Sequence, residues 1–256
     1  MQIYELINKA IKEHKNLVLC TVVETNGSVP RHAGSKMVVF DGGSREGTVG
    51  GGEVEERAIQ EAKKALIDGQ PRLVDYSLIS SDKELDGLCG GNVKIYIEPI
   101  VQAPKLIIYG AGHVGSALAR LAKWLSFNVI VSDDRSDLCD DTLIPDADEF
   151  LPLMMADTPD HVKIDSNTFI AVVTRGADVD IQGLPRLLES EAAYIGVMGS
   201  KRRWEFTRKG LIDAGVTEDK IARIKSPIGL SILAETPDEI AVSIMAEIIK
   251  LRNDLS

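Results

Sequence analysis

The sequence predicts an α/β protein in two parts: a smaller N-terminal α+β domain over residues 1–100, and a C-terminal domain over 105–256 built on a parallel sheet with helices on both faces. Three observations predict it. Lys105 to Gly115 is an apolar run entering Gly110, Gly112 and Gly115 in the spacing G-x-G-x-x-G, followed by the amphipathic stretch SALARLAKWL. The later runs NVIVS, TFIAVV and AAYIGVMG alternate with helical sequence, and such alternation makes a parallel sheet. A fingerprint that starts past residue 100 in a chain of 256 residues, 44% hydrophobic, favours two modest cores over one large one.

The first element, MQIYELINKAIKEHKN, reads as an amphipathic helix of mixed charge, not a signal peptide. NLVLCTVVET and MVVF read as strands around the polar loop NGSVPRHAGSK. GTVGGG then leads into a helix with Val54, Ala58, Ala62 and Leu66 on one stripe and Gly69 placed to end it. Gly50, Gly51 and Gly52 have two readings of equal weight. Their bare N–H groups can face an anion or a planar ligand, or they can form a tight turn with Glu53 in the first helical turn on the favourable end of the dipole. The strands RLVDYSL and NVKIYIEPI bracket a polar loop ending in Leu88-Cys89-Gly90-Gly91. Cys20, inside an apolar strand, reads as a small buried hydrophobe, whereas Cys89, followed by two glycines, is either a structural loop thiol or one that a ligand can approach.

In the C-terminal part the glycine turn has the backbone freedom to bring main-chain N–H groups close to a pyrophosphate at a helix N-terminus, the mark of a Rossmann-like fold. Asp133 and Asp134, about 20 residues on, stand where a carboxylate would hold a ribose hydroxyl, which would favour NAD over NADP. Ligands on parallel sheets bind beyond the strand carboxyl ends, which selects Gly110 to His113, Asp133 to Arg135, Thr174 to Gly176 and Gly199 to Arg203. Lys201, Arg202 and Arg203 fall in a first helical turn, where the dipole disfavours cations; a phosphate near Ser200 would compensate, and so would local acids or solvation. Cys139 and His161 stand in irregular polar segments. Ser226–Leu230 is a Pro/Gly loop, and Thr236-Pro237-Asp238-Glu239 is a capping box that opens the last helix.

Composition excludes several classes. A formal net charge of −10 argues against a nucleic-acid or membrane surface, and no apolar run approaches the ~20 residues of a membrane span. Three widely spaced cysteines and the absence of CxxC or HExxH argue against disulfides and zinc and for a cytoplasmic protein.

The motifs TNGSVPRHAG, GTVGGGEVE, LCGG, GAGHVGSAL, DDR, GSKRR, SPIGL and TPDEIAVSI, in this order across nearly the whole chain, resemble the XdhC/CoxI family of molybdenum-cofactor maturation proteins. The resemblance implies a chaperone that binds molybdenum cofactor, as molybdopterin or its cytosine dinucleotide form, supports its sulfuration and delivers it to a molybdenum hydroxylase such as xanthine dehydrogenase. It further implies a homodimer and a cysteine desulfurase as a sulfur source. Carried over residue by residue, it marks Gly27, Ser28, Pro30, Arg31, Gly34, Gly50, Gly51, Gly52, Glu53, Cys89, Gly90 and Gly91 in the first part, and Gly110, Gly112, His113, Gly115, Asp133, Asp134 and Arg135 in the second. Ser200, Lys201 and Arg203 join the cofactor-binding set from the strand-end reading. Cys89 becomes a candidate sulfur carrier or molybdenum ligand, and no catalytic residue is assigned. Family members often carry a His in the stretch aligned with TRGADVD, where this chain has Ala177 and Asp178. The expected arrangement is a glycine-lined, cation-edged cleft between the domains. The competing readings are an NAD-dependent oxidoreductase, for which His113 is the available proton donor, and a nucleotide-sensing binding module.

Overall fold

The computed structural model describes residues 2–13, 15–77 and 91–255, and the chain divides after Gln102 into two compact units. In the first, α1 (Gln2–Lys12) precedes β1 (Leu17–Asn26), β2 (Lys36–Phe40) and β3 (Arg45–Gly47); α2 (Gly52–Asp68), β4 (Arg72–Ser77) and β5 (Asn92–Ile100) follow. The strands form an antiparallel sheet in the order β3-β2-β1-β5-β4. Because successive strand side chains point to opposite faces, β1 sends Val18, Cys20 and Val22 toward α2 and Leu17 and Leu19 toward α1. The α2 stripe is Val54, Ala58, Ala62 and Ala65, small residues that let the helix lie close on the sheet, with Leu66 only partly buried. Gly69 ends the helix in the left-handed region at φ 66°, its N–H reaching the Ala65 carbonyl at 3.0 Å. Cys20 is fully buried, and burial pushes its thiol up to about 12, so it is a packing residue.

The second unit carries a six-stranded parallel sheet. Its elements are β6 (Lys105–Tyr109), α3 (His113–Trp124), β7 (Asn128–Ser132), β8 (Glu149–Leu151), β9 (Thr168–Val172), α4 (Ala177–Leu187), β10 (Tyr194–Val197), α5 (Lys201–Asp213), α6 (Glu218–Ile221), β11 (Ile224–Lys225) and α7 (Pro237–Leu255). The order β11-β10-β9-β6-β7-β8 is, counted within the unit, 6-5-4-1-2-3. This is the doubly wound Rossmann arrangement, and its strand order reverses between β6 and β9, where such sheets open a crevice. α3 and α7 cover one face around Leu118 and Ile244, and α4 and α5 cover the other around Leu184 and Leu211. The central strands β6 and β9 are buried on both faces, which is why they read as continuous apolar runs.

The α7 capping box forms in both directions. The Glu239 N–H donates to Thr236 Oγ1 at 3.3 Å, and the Thr236 N–H donates back to Glu239 Oε2 at 3.0 Å. Among the described residues no helix is long and apolar enough to cross a membrane. Four buried polar side chains build the site: Ser132 at the end of β7, Asp133 and Thr174 shortly after β7 and β9, and Asp180 on α4.

Candidate functional site

The glycine turn after β6 is dictated by steric limits at two positions. Gly110 sits at φ 115°, and a Cβ there would come within 2.6 Å of the Val173 carbonyl oxygen at the end of β9. A methyl on Gly115 would land on the carbonyl oxygen of Gly110, so the absent side chain is what lets α3 pack onto its own turn. Gly112, the N-cap of α3, faces open space and gives no side-chain cap. Main chain there can approach an anion at the positive end of the helix. His113 is exposed at the first helical position.

Asp133 closes this turn from β7. Its Oδ2 accepts the Ala111 N–H at 2.9 Å and Arg135 Nη2 at 2.8 Å, while Oδ1 accepts the Arg135 N–H at 3.0 Å and Arg135 Nε at 2.8 Å. A carboxylate offers about four lone-pair sites, and four N–H groups occupy them. Its side chain is only 3% exposed. Asp133 therefore braces the glycine turn and has no acceptor left for a ribose hydroxyl, the role its position in sequence suggests. Asp134 is held by a two-pronged bridge from Arg175, at 2.5 and 2.7 Å. The premise that an acidic pair here repels a ribose phosphate is removed, because both carboxylates already carry a guanidinium partner.

Burial would raise Asp133, but the Arg135 guanidinium and the Ala111 and Arg135 amides outweigh it and hold the carboxyl at about 2, below the ordinary 3.8. A folded value below the unfolded one stabilises above the unfolded pKa and is lost as pH falls through the folded value. The cost of acidification from this group is about 2 kcal/mol, between about pH 4 and pH 2. Asp133→Asn is expected to be less stable near neutrality and to lose about 2 kcal/mol less than the parent over that window, as read from urea midpoints at several pH values. Equal acid slopes for the two proteins would show that Asp133 is not held in this way.

At the next strand end, Ser200 caps α5 by accepting the Arg203 N–H at 3.2 Å. The Arg203 side chain turns inward. It reaches Asp180 Oδ2 at 2.7 Å, Thr174 Oγ1 at 3.0 Å and the Thr174 carbonyl at 3.2 Å, and the Thr174 hydroxyl donates to Asp180 Oδ1 at 2.5 Å. Of the alternatives for the basic first turn, a local acid compensates Arg203, and that acid is Asp180, fully buried on α4. Lys201 stays exposed. Sequence reading missed Asp180 because its partner lies 23 positions away on another helix.

In the first unit, three of the marked segments converge. A Cβ on Gly91 would come within 2.6 Å of the Ser28 carbonyl and 2.7 Å of the Asn26 carbonyl, and one on Gly50 would touch Pro30 Cγ at 3.4 Å. The loop after β1, the glycine triplet and the start of β5 are thus neighbours; Arg31 is exposed on that loop. Cys89 and Gly90 lie outside the described residues. The triplet has φ of 151°, 73° and 52° at Gly50, Gly51 and Gly52, conformations that favour glycine over residues with a side chain. Two of its amides are not bare. The Gly51 N–H donates to Glu55 Oε2 at 3.2 Å and the Gly50 N–H to Thr48 Oγ1 at 3.3 Å, while Thr48 Oγ1 donates to Glu55 Oε2 at 2.5 Å and Arg45 pairs with Glu55 Oε1 at 3.2 Å. Glu55, not Glu53, closes the turn; Glu53 makes a surface pair with Arg57. Among the described residues no cluster of three or more His, Cys, Asp or Glu could hold a metal ion.

Comparison with known proteins agrees with this two-part geometry. Residues 106–248 match the family model described as the XdhC Rossmann domain, and residues 10–77 match that of the XdhC and CoxI family. The chain belongs to the XdhC and CoxI family. It is 32% identical over 99% of its length to the uncharacterized protein YqeB of Escherichia coli, and it spans about half of that relative, 47%. It is 24% identical to a Bacillus subtilis protein named as a probable subunit of xanthine dehydrogenase, covering 97% of each chain. It is 21% identical to the molybdenum cofactor insertion chaperone PaoD of Escherichia coli, covering 95% of this chain and 86% of that one. Among solved structures it is similar to a Bacillus halodurans protein described as a xanthine dehydrogenase, with a TM-score of 0.53 and 26% identity over 98% of this chain and 95% of that one.

Proposed function

We propose that this protein is a maturation factor for a molybdenum hydroxylase: it binds molybdenum cofactor as cargo, supports its sulfuration and delivers it to a client such as xanthine dehydrogenase. The observation that carries this reading is end-to-end similarity to relatives named for molybdenum cofactor insertion and for xanthine dehydrogenase. The geometry agrees with a carrier. The glycine turn at Gly110–Gly115 presents open backbone at a helix N-terminus, suited to a phosphate or pyrophosphate of molybdopterin or its cytosine dinucleotide form. In the first unit, Pro30, Gly50 and Gly91 form a second backbone-rich cluster, and Cys89 stands two positions before Gly91 in sequence. Cys89 is the proposed sulfur carrier or molybdenum ligand, a soft thiolate suited to that metal. The protein acts in the cytoplasm as a homodimer and draws sulfur from a cysteine desulfurase.

Turnover by an NAD-dependent oxidoreductase is the weaker reading. Asp133 has no acceptor for the ribose, and His113 sits at the phosphate turn, away from where a hydride would be exchanged. Cys89→Ala is expected to lower the sulfurated fraction of the client at least tenfold while leaving client expression unchanged. The check is cyanide-releasable sulfur on the client together with cofactor retained on the purified protein. Unchanged values for both would take Cys89 out of the mechanism.

A further inference from the structure

A cavity of about 660 Å³ opens beyond the ends of β10 and β11, on the far side of β9 from the glycine turn. Small-molecule sites span about 300–1,000 Å³, so this one has room for a ring system. Its walls are the apolar Met198, Pro227, Ile228, Leu230 and Ile240, and two charged groups share it, Lys225 from β11 and Glu247 from α7. The walls are fixed to each other. The Leu230 N–H donates to the Ser243 carbonyl at 3.1 Å, and the Ser243 hydroxyl donates back to the Leu230 carbonyl at 2.6 Å. Gly229 sits at φ 92°, where a methyl would land on the Ser243 hydroxyl, so main chain lies directly against α7.

The two oxygens of Glu247 have different tasks. Oε2 accepts the Tyr194 hydroxyl at 2.5 Å and the Gly229 N–H at 2.8 Å, which ties α7 to β10 and to the loop after β11. Burial and the adjacent carboxylate push the Tyr194 hydroxyl up, so it remains a donor. These two bonds fill the lone pairs of Oε2. Oε1 accepts no hydrogen bond among the described residues; Lys225 Nζ stands 3.8 Å away, beyond hydrogen-bonding reach. The Glu247 side chain is 12% exposed, and an acceptor so little hydrated is best completed by a donor that enters the cavity. Carboxylate oxygen and ammonium thus present one acceptor and one donor side by side. A cyclic lactam carries the matching pair, an N–H and a C=O on adjacent atoms of one ring edge.

We propose that this cavity holds a planar heterocycle by its lactam edge, the ring N–H donating to Glu247 Oε1 and the ring carbonyl accepting from Lys225 Nζ, between the apolar walls. Two sources supply that edge: the 2-amino-4-oxo ring of a pterin, and a lactam purine such as guanine. Only the pterin source rests on the function proposed above. Cytosine has a ring carbonyl but no N–H beside it, so of a pterin cytosine dinucleotide the cavity takes the pterin end.

The test is equilibrium dialysis against the full chain with two matched pairs of probes, pterin against 3-methylpterin and guanosine against 1-methylguanosine. In each pair a methyl group replaces the lactam hydrogen. The expected result is at least tenfold tighter binding of the unmethylated member of one pair, the scale of a hydrogen bond to a charged group, and the pair that shows it identifies the source. In Glu247→Gln the amide oxygen can keep the Tyr194 and Gly229 bonds while the amide NH₂ faces the ring, so the preference is expected to fall below about threefold. Lys225→Met is expected to weaken both members of the pair about tenfold and to leave the preference intact, since both keep the carbonyl. Lys225 is more than half exposed, so this variant tests the site without unfolding the unit. No preference in either pair, a preference that survives Glu247→Gln, or binding unchanged by Lys225→Met overturns the proposal. Because the readout is binding by the isolated protein, its failure leaves the delivery function standing, and loss of client sulfuration in Cys89→Ala does not bear on it.

Discussion

Replacing Arg203 with alanine is expected to destabilise the second unit by about 3–5 kcal/mol, the cost of removing one partner from a buried ion pair. Asp180 is fully buried, and without the guanidinium its carboxylate keeps only the Thr174 hydroxyl. Lysine is not expected to rescue the loss, because three bonds run from one planar fork to two residues and a point charge on a flexible stem cannot reproduce them. Asp180→Asn combined with Arg203→Met should recover much of the stability, since it removes both charges together. Both tryptophans of the chain, Trp124 and Trp204, lie in the second unit, so fluorescence-monitored urea unfolding reports on that unit directly. A midpoint unchanged by Arg203→Ala would falsify the assignment of Asp180 and Arg203 as a coupled pair.

Gly115→Ala should be the second most damaging change. The new methyl would land on the Gly110 carbonyl oxygen, and its next neighbour, at 3.0 Å, is again backbone, the Gly110 carbonyl carbon. Neither atom can rotate away, so α3 must lift from the turn. Alanine is favoured over glycine in a helix by about 1 kcal/mol, whereas overpacking against backbone costs about 3 kcal/mol, so the clash wins by about 2 kcal/mol. Gly112→Ala is the control. Its φ of −79° is ordinary and no heavy atom lies within 4 Å of the new Cβ, so stability should change by less than about 0.5 kcal/mol. If Gly115→Ala melts with the parent, the close packing of α3 on its turn is not a requirement of the fold.

Much of the fold was legible in the sequence because its signals are local. The glycine spacing states a backbone requirement within six residues, the capping box states another within four, and β6 and β9 announce double-sided burial by unbroken apolar runs after their first residues, Lys105 and Thr168. Edge strands β8 and β11 were not legible. At three and two residues they are too short to show a period, and Glu149 and Lys225 make them look like loop. The choice between Glu53 and Glu55 was also lost, since both acids lie in the first turns of α2. Only the helical phase, with the N-cap at Gly51, shows which carboxylate folds back on the turn.

By itself the sequence determined the two-part α/β organisation, the Rossmann turn at Gly110–Gly115 and membership of the XdhC and CoxI family, since each follows from residues close together or from motifs in order. Only the tertiary structure decided what the charged residues at the strand ends do. Asp133 is saturated by Ala111 and Arg135, Asp134 is claimed by Arg175 from 41 positions away, and Arg203 turns inward to Asp180. The physical reason is that a carboxylate or guanidinium is defined by its partners and its access to water, and a parallel sheet collects those partners from the ends of strands that are distant in the chain.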